Sequence, residues 1–144
     1  MVHALHKIHG MLKPGGMLID MRPLPELPKV DVRIETQEHL VGWLRETGGR
    51  EQYVQAEDAI SKTVEDGLYL NSRTEQFTYH VYADAVSELV CYLEETWTDA
   101  ITDDIMFQRA SELMRSAVSD KEVGLHEVVR ITRLIPVHTD IGDG

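Results

Sequence analysis

The spacing of apolar residues changes several times along the chain, and each change marks an element. Val2, Leu5, Ile8 and Leu12 recur at helical spacing, which predicts an amphipathic helix over 2–12. Pro14 cannot continue that helix and pushes Lys13 out of the helical region. Gly15 and Gly16 accept positive φ, so the chain can reverse there into the mostly apolar run 17–21, a covered strand by its composition. Residues 22–29 carry Pro23, Pro25 and Pro28 and form an extended connector. Val30, Val32 and Ile34 then alternate with Asp31, Arg33 and Glu35, the period of a half-buried strand. With a polar turn at Gln37-Glu38-His39 and a return through Leu40–Arg45, residues 30–46 are expected to form a β-hairpin. A helix over 38–46 competes, since Leu40, Trp43 and Leu44 also fit helical spacing; Gly42 favours the strand.

Further on, Ala56, Ala59, Ile60, Thr63 and Val64 share one helical face over 54–66, and Gly67 stops that helix. From 68 to 82 the period is that of a strand, with Phe77, Tyr79 and Val81 on one side and Thr78, His80 and Tyr82 on the other. Asp84 is the expected N-cap of a helix over 84–96 with Val86, Leu89, Val90 and Leu93 as its stripe. A second helix begins at Thr102 or Asp103 and turns Met106, Ala110, Leu113, Met114 and Ala117 inward. A last strand spans 125–137, where Pro136 implies an edge or an exit, and 138–144 is expected to fray. The order is helix, strand, hairpin, helix, strand, two helices, strand. It points to an α/β fold with a mixed sheet in a single domain, 1–144, divided into 1–21, 30–66 and 68–137.

Composition narrows the function classes. At 144 residues with 42% apolar content, the chain is long enough for a real core. Fourteen basic against 25 acidic residues give a formal charge of −11, which disfavours nucleic acid and anionic membrane surfaces as partners. Cys91, the single cysteine, allows no intrachain disulfide and suits a reducing cytoplasm. No apolar run approaches a membrane span, and the first 20 residues lack a signal-peptide layout.

Residues 4–19, Ala-Leu-His-Lys-Ile-His-Gly-Met-Leu-Lys-Pro-Gly-Gly-Met-Leu-Ile, resemble a segment of the class I S-adenosylmethionine-dependent methyltransferases. In that family a helix ending in Leu-Lys-Pro-Gly-Gly leads into the fifth sheet strand. Val128–Ile135 more weakly resembles the family's last strand. The resemblance implies a partial Rossmann-like fold in which 17–21, 68–82 and 125–137 correspond to strands five, six and seven. The seventh, antiparallel, would lie between the other two, and 30–66 would be a hairpin and helix inserted on the substrate side. The family's glycine-rich cofactor loop and the acidic end of its second strand would both lie upstream of Met1. Four strand–helix units, on the order of 100 residues at ~30 per unit, are then outside this chain. The implied reading is a C-terminal half that binds no S-adenosylmethionine alone and does so only if the missing half is supplied. Lys13, Pro14, Gly15 and Gly16, the positions that match, are turn formers, so no cofactor-binding or catalytic residue carries over.

Without a fourth strand beside it, the 17–21 strand would expose an apolar edge, a template for pairing. A homodimer through that edge is expected, with a separate cofactor-binding chain as the alternative.

Among individual residues, Asp20 ends its strand and is the polar group best placed for a site at the strand's carboxyl edge. Trp43 is either a lid over a ligand or a subunit anchor. Phe77, Tyr79, Tyr82, Tyr92 and Trp97 could line a pocket, with Tyr82 as a substrate-side candidate, although their spacing favours a core. His3, His6 and His9 repeat every three residues but drift around the helix with no acidic or thiol partner nearby, which favours surface histidines over a metal site. His126 and His138 have no evident partner. Cys91 is expected to be buried, with Glu88, Glu94 and Glu95 raising its pKa. Glu94-Glu95 and Asp103-Asp104 are expected to be solvated helix ends.

Overall fold

The computed structural model describes residues 1–138. In chain order the elements are α1 (Val2–Met11), β1 (Leu18–Pro23), β2 (Lys29–Ile34), β3 (Gln37–Trp43), β4 (Arg45–Glu46), α2 (Glu51–Glu65), β5 (Tyr69–Ala83), α3 (Val86–Thr96), β6 (Ala100–Ile101), α4 (Asp104–Met114) and β7 (Lys121–Pro136). This is a mixed α/β chain with a largely antiparallel sheet. Its residues fall into two compact units, one of 1–25, 51–77 and the chain from 129, the other of 26–50 and 78–128.

In the first unit, α1 stops where Leu12 turns extended, one residue before Lys13-Pro14. Gly15 sits at φ +79°, and a Cβ on Gly16 would lie 2.9 Å from the Lys13 carbonyl oxygen, so this turn requires both glycines. The chain enters β1, which pairs antiparallel with the second half of β7 from Leu18 opposite Leu134 to Pro23 opposite Val129. β5 also pairs with β7. The Ser72 hydroxyl donates to the Arg133 carbonyl at 3.1 Å, and the Thr74 and Thr132 hydroxyls lie 3.4 Å apart. Since β1 pairs with these same β7 residues, β1 and β5 flank β7 on opposite edges. Leu5, Ala59, Ile60, Tyr69 and Leu134 form a small core, and the Tyr69 hydroxyl donates to the Leu5 carbonyl at 2.9 Å. Met17, Ile19 and Met21 alternate away from it and are 48, 48 and 62% exposed.

In the second unit, β2 and β3 form the hairpin, turning at Glu35, which takes φ +54°, and Thr36. The turn thus precedes the expected Gln37-Glu38-His39, which already belongs to β3. At Gly42 the Met106 side chain packs close, and a Cβ there would meet its Sδ at 2.9 Å, so that side chain would have to shift. Rather than forming a separate insertion, the hairpin joins β7 through β2, from Lys29 opposite His126 to Ile34 opposite Lys121. Val30, Val32, Val123 and Leu125 pack with Leu89, Leu93, Met106, Phe107 and Ala110 in a core larger than that of the first unit. Asp103 caps α4, its carboxylate accepting from the backbone of Ile105 and Met106. The expected cap at Asp84 is not made. Ala85 is the N-cap of α3 without a side-chain bond, and the Asp84 N–H donates instead to Glu88. Ala117 is exposed because α4 ends at Met114. β7 starts four residues before the expected 125, and Pro136 is its exit rather than an edge residue. Of the expected tail, 139–144 lies outside the described residues.

Candidate functional site

The second unit brings together a group that the sequence left apart. In antiparallel pairs, residues directly opposite share a face. Trp43 lies opposite Lys29, which lies opposite His126; Asp31 lies opposite Gly124 on that same face. Val30, Val32, Val123 and Leu125 occupy the other face, against α3 and α4. The Asp31 carboxylate, 3% exposed, meets His126 Nε2 at 2.9 Å, and the His126 side chain is itself only 10% exposed. His126 Nδ1 lies 2.5 Å from Nδ1 of the exposed His80. Tyr82 stacks on His80 with centroids 5.6 Å apart and meets His126 edge-on at 5.7 Å.

A buried carboxylate is costly unless it is paired and hydrogen-bonded. Asp31 has both supports, since Lys29 Nζ lies 3.1 Å from its other oxygen. That carboxylate in turn holds the Lys29 ammonium above the usual lysine range. Glu38 approaches Lys29 at 3.4 Å, and Arg33 pairs with Glu122 at 2.8 Å further along the face. Chemically, the arrangement can order two imidazoles in line behind a fixed carboxylate and present one of them to solvent.

Expected site residues fall in different places. Trp43 and Tyr82, 54 and 53% exposed, belong to this face. Asp20 belongs to the first unit and does not end its strand, which continues to Pro23. It pairs with Arg22 at 2.8 Å, and Arg22 continues to Glu57 at 2.6 Å, which also holds Arg130 at 2.5 Å. Burial pushes the Asp20 carboxyl up, Arg22 pulls it down and Glu57 adds to the rise. A cleft of about 330 Å³ beside these groups is lined by Arg22, Glu57, Arg130 and Thr132 among others. Both guanidiniums there are engaged by Glu57.

The aromatic set is not one core. Phe77, Tyr79 and Tyr82 are exposed, whereas Tyr92 and Trp97 pack partly buried against the second unit's core. Trp97 Nε1 donates to Glu46 at 2.8 Å, beside Arg50, which reaches Glu46 at 3.3 Å and Glu127 at 2.7 Å. Burial pushes the Glu127 carboxyl up against the pull of Arg50, and Glu46 adds to the rise. Cys91 is exposed, not buried, and the neighbouring Glu95 carboxylate raises its thiol pKa. His9 Nε2 donates to the Val137 carbonyl at 3.0 Å and the ring lies against His138, while His3 and His6 are exposed. Among the described residues, no three His, Cys, Asp or Glu side chains are grouped to hold a metal ion. No helix among them is long and apolar enough to cross a membrane.

Sequence reasoning missed His80, His126 and Asp31 as a group. The alternation around Asp31 did place it on a polar face, but its pairing with β7 lies 95 residues downstream and leaves no local signal. Compared with protein-family models, with curated proteins and with solved structures, the chain matches none of them.

Proposed function

We propose that this chain is the C-terminal, substrate-side part of a class I S-adenosylmethionine-dependent methyltransferase fold, and that its β1 edge pairs with a second copy of the chain. The observation that carries the reading is the placement of β7, antiparallel to β1 on one edge and flanked by β5 on the other. The resemblance at Leu12–Gly16 requires this order. The Pro-Gly-Gly turn adds support, since its geometry requires the glycines that carry the resemblance. For the edge, support comes from β1, whose one strand neighbour among the described residues is β7 and which exposes Met17, Ile19 and Met21. A row of unpaired backbone groups beside apolar side chains favours pairing with another strand.

A second reading is a non-enzymatic dimeric module built on the same strands. It rests on the same exposed β1 side chains, Met17, Ile19 and Met21, which suit pairing whether or not a cofactor half is present.

Light scattering with hydrogen exchange tests the proposal. A dimer at micromolar concentration with slowly exchanging β1 amides is expected. A monodisperse monomer whose β1 edge exchanges freely overturns the edge pairing and the internal-strand assignment with it. Calorimetric titration with S-adenosylmethionine and its demethylated product then separates the two readings. Micromolar binding by the assembly supports a cofactor site and the enzyme, and no binding at millimolar cofactor supports the module.

A further inference from the structure

We infer that Asp31, His126 and His80 form a proton-accepting site for a planar aromatic hydroxyl compound that lies on the open face of the second unit. The hydrogen positions follow from the chemistry of the chain. A carboxylate only accepts hydrogen bonds, so His126 Nε2, 2.9 Å from Asp31, carries a hydrogen. In a neutral imidazole the other nitrogen is then an acceptor, and His80 Nδ1, 2.5 Å away, must donate to it. His80 is thereby left with a lone pair on Nε2, on a side chain open to solvent. A buried carboxylate ordering one imidazole, which orders a second, resembles the way general bases are oriented in enzymes.

The group is built rather than incidental. Glycine within a strand weakens it, yet Gly124 sits opposite Asp31 inside β7. A Cβ there would come 2.7 Å from His126 Nε2 and 2.9 Å from Asp31 Oδ1, in the path of their hydrogen bond. Nor does the spacing suit a metal held between the two rings. Two nitrogens on a tetrahedral ion lie roughly 3.3 Å apart for bonds of ~2.05 Å, well beyond the 2.5 Å between His80 and His126.

The ligand class follows from the surroundings. Tyr82 and Trp43, each more than half exposed, offer aromatic faces on the same side of the strands. Trp43 and His126 are separated by two strand spacings, about 10 Å, which suits a substituted aromatic ring. Lys29 lies between them in the ladder, its ammonium held by Asp31 and Glu38, so this part of the face is polar beneath the ring. In the step itself, the ligand O–H bond breaks and its proton bonds to His80 Nε2. The His80 Nδ1 hydrogen can pass to His126 Nδ1. The positive charge gained by the imidazole pair faces the Asp31 carboxylate, and the ligand leaves the step as an oxyanion. No other reactant is needed. The site rests on the second unit alone and needs no methyl donor, so it stands or falls apart from the proposed function.

The test is a titration of para-nitrophenol with the purified chain, in a buffer where the free compound is mostly neutral. A saturable rise in the phenolate absorbance is expected. His80→Ala, at an exposed position, should reduce that rise about tenfold, one unit in the ligand's effective pKa. Asp31→Asn should lessen it severalfold. No saturable rise with the unsubstituted chain, or an unchanged rise in His80→Ala, overturns the inference. Long-range proton–nitrogen NMR of the free chain provides a second measurement that needs no variant. It should find hydrogen on His126 Nε2 and His80 Nδ1, and the opposite tautomers overturn the relay.

Discussion

The two units each turn helices against one face of their strands and leave the other face open, but they finish that open face differently. In the first unit it carries Met17, Ile19 and Met21, with a shallow cleft of about 260 Å³ lined by Ile19, Ile131 and the Arg73, Glu75 and Arg133 side chains. In the second it carries Lys29, Asp31, Arg33, Glu122 and His126, cross-linked by ion pairs and hydrogen bonds. Apolar side chains on an open strand gain by being covered, whereas a cross-linked polar face is already satisfied and gains little from a protein partner. The first face therefore suits assembly, and the second, with exposed Trp43 and Tyr82 beside its polar network, suits a small aromatic ligand with a polar group. The cores differ in the same direction. The first unit's core cluster has five buried residues and the second unit's has eleven, so the second unit has more to lose from truncation.

The largest expected effect tests that difference in cores. Leu125 and Leu134 are both fully buried on β7, one in each unit. Leu125→Ala should cost about 3–5 kcal/mol and Leu134→Ala about 2–3 kcal/mol, the range for cavities of differing collapse. Urea unfolding of the two variants reads this directly, and a reversed order would break the contrast in core size. Next comes the open face of the first unit. Ile19→Lys with Met21→Lys should weaken self-association at least about tenfold, roughly 1.4 kcal/mol, by sedimentation, and leave para-nitrophenol binding unchanged. Loss of both properties together would show that the faces are not independent.

Gly124→Ala sharpens the picture from the second unit. It should cost about 1–2 kcal/mol by overpacking and shift the His126 ring signals in NMR as the bond to Asp31 breaks. Unperturbed signals would mean that the strand yields instead. The smallest effect is in pH dependence. Burial raises the Glu127 carboxyl above its ordinary range in the folded state, so between the ordinary and raised values the folded chain binds more protons than the unfolded one. Stability should fall as pH rises through that window and level off above it. Glu127→Gln should remove this slope in thermal melts taken across the acidic range, and a retained slope would assign it to other carboxyls such as Asp20.

Elements with a local cause were legible. The Pro-Gly-Gly turn, the helix expected over 54–66 and found over Glu51–Glu65 with Gly67 at φ +73° behind it, and the start of α4 after Asp103 each depend on residues a few positions apart. Gly42 favoured the hairpin over a helix, and in the structure Met106 packs close against that position. Asp84 misled because capping propensity is weak against the local geometry, which gave its N–H to Glu88. Cys91 misled because it sits beside the apolar stripe of α3 rather than on it. The candidate site was legible only in part. Trp43 and Tyr82 stood out as aromatics, while the histidines that join them depend on strand register, which composition does not encode.

The position of β7 has a consequence for how the chain is made. β1, β2 and β5 all pair with it, and it follows each of them in sequence. At a synthesis rate of about 5–20 residues per second, those strands emerge from the ribosome seconds before their common partner exists. The ladder from Leu18 to Leu134 can close only when translation has delivered residues 129–134. A chain stalled before residue 121 therefore holds β2 in its hairpin with β3 but leaves β1 and β5 without the strand they pair with, the nascent species most in need of a chaperone.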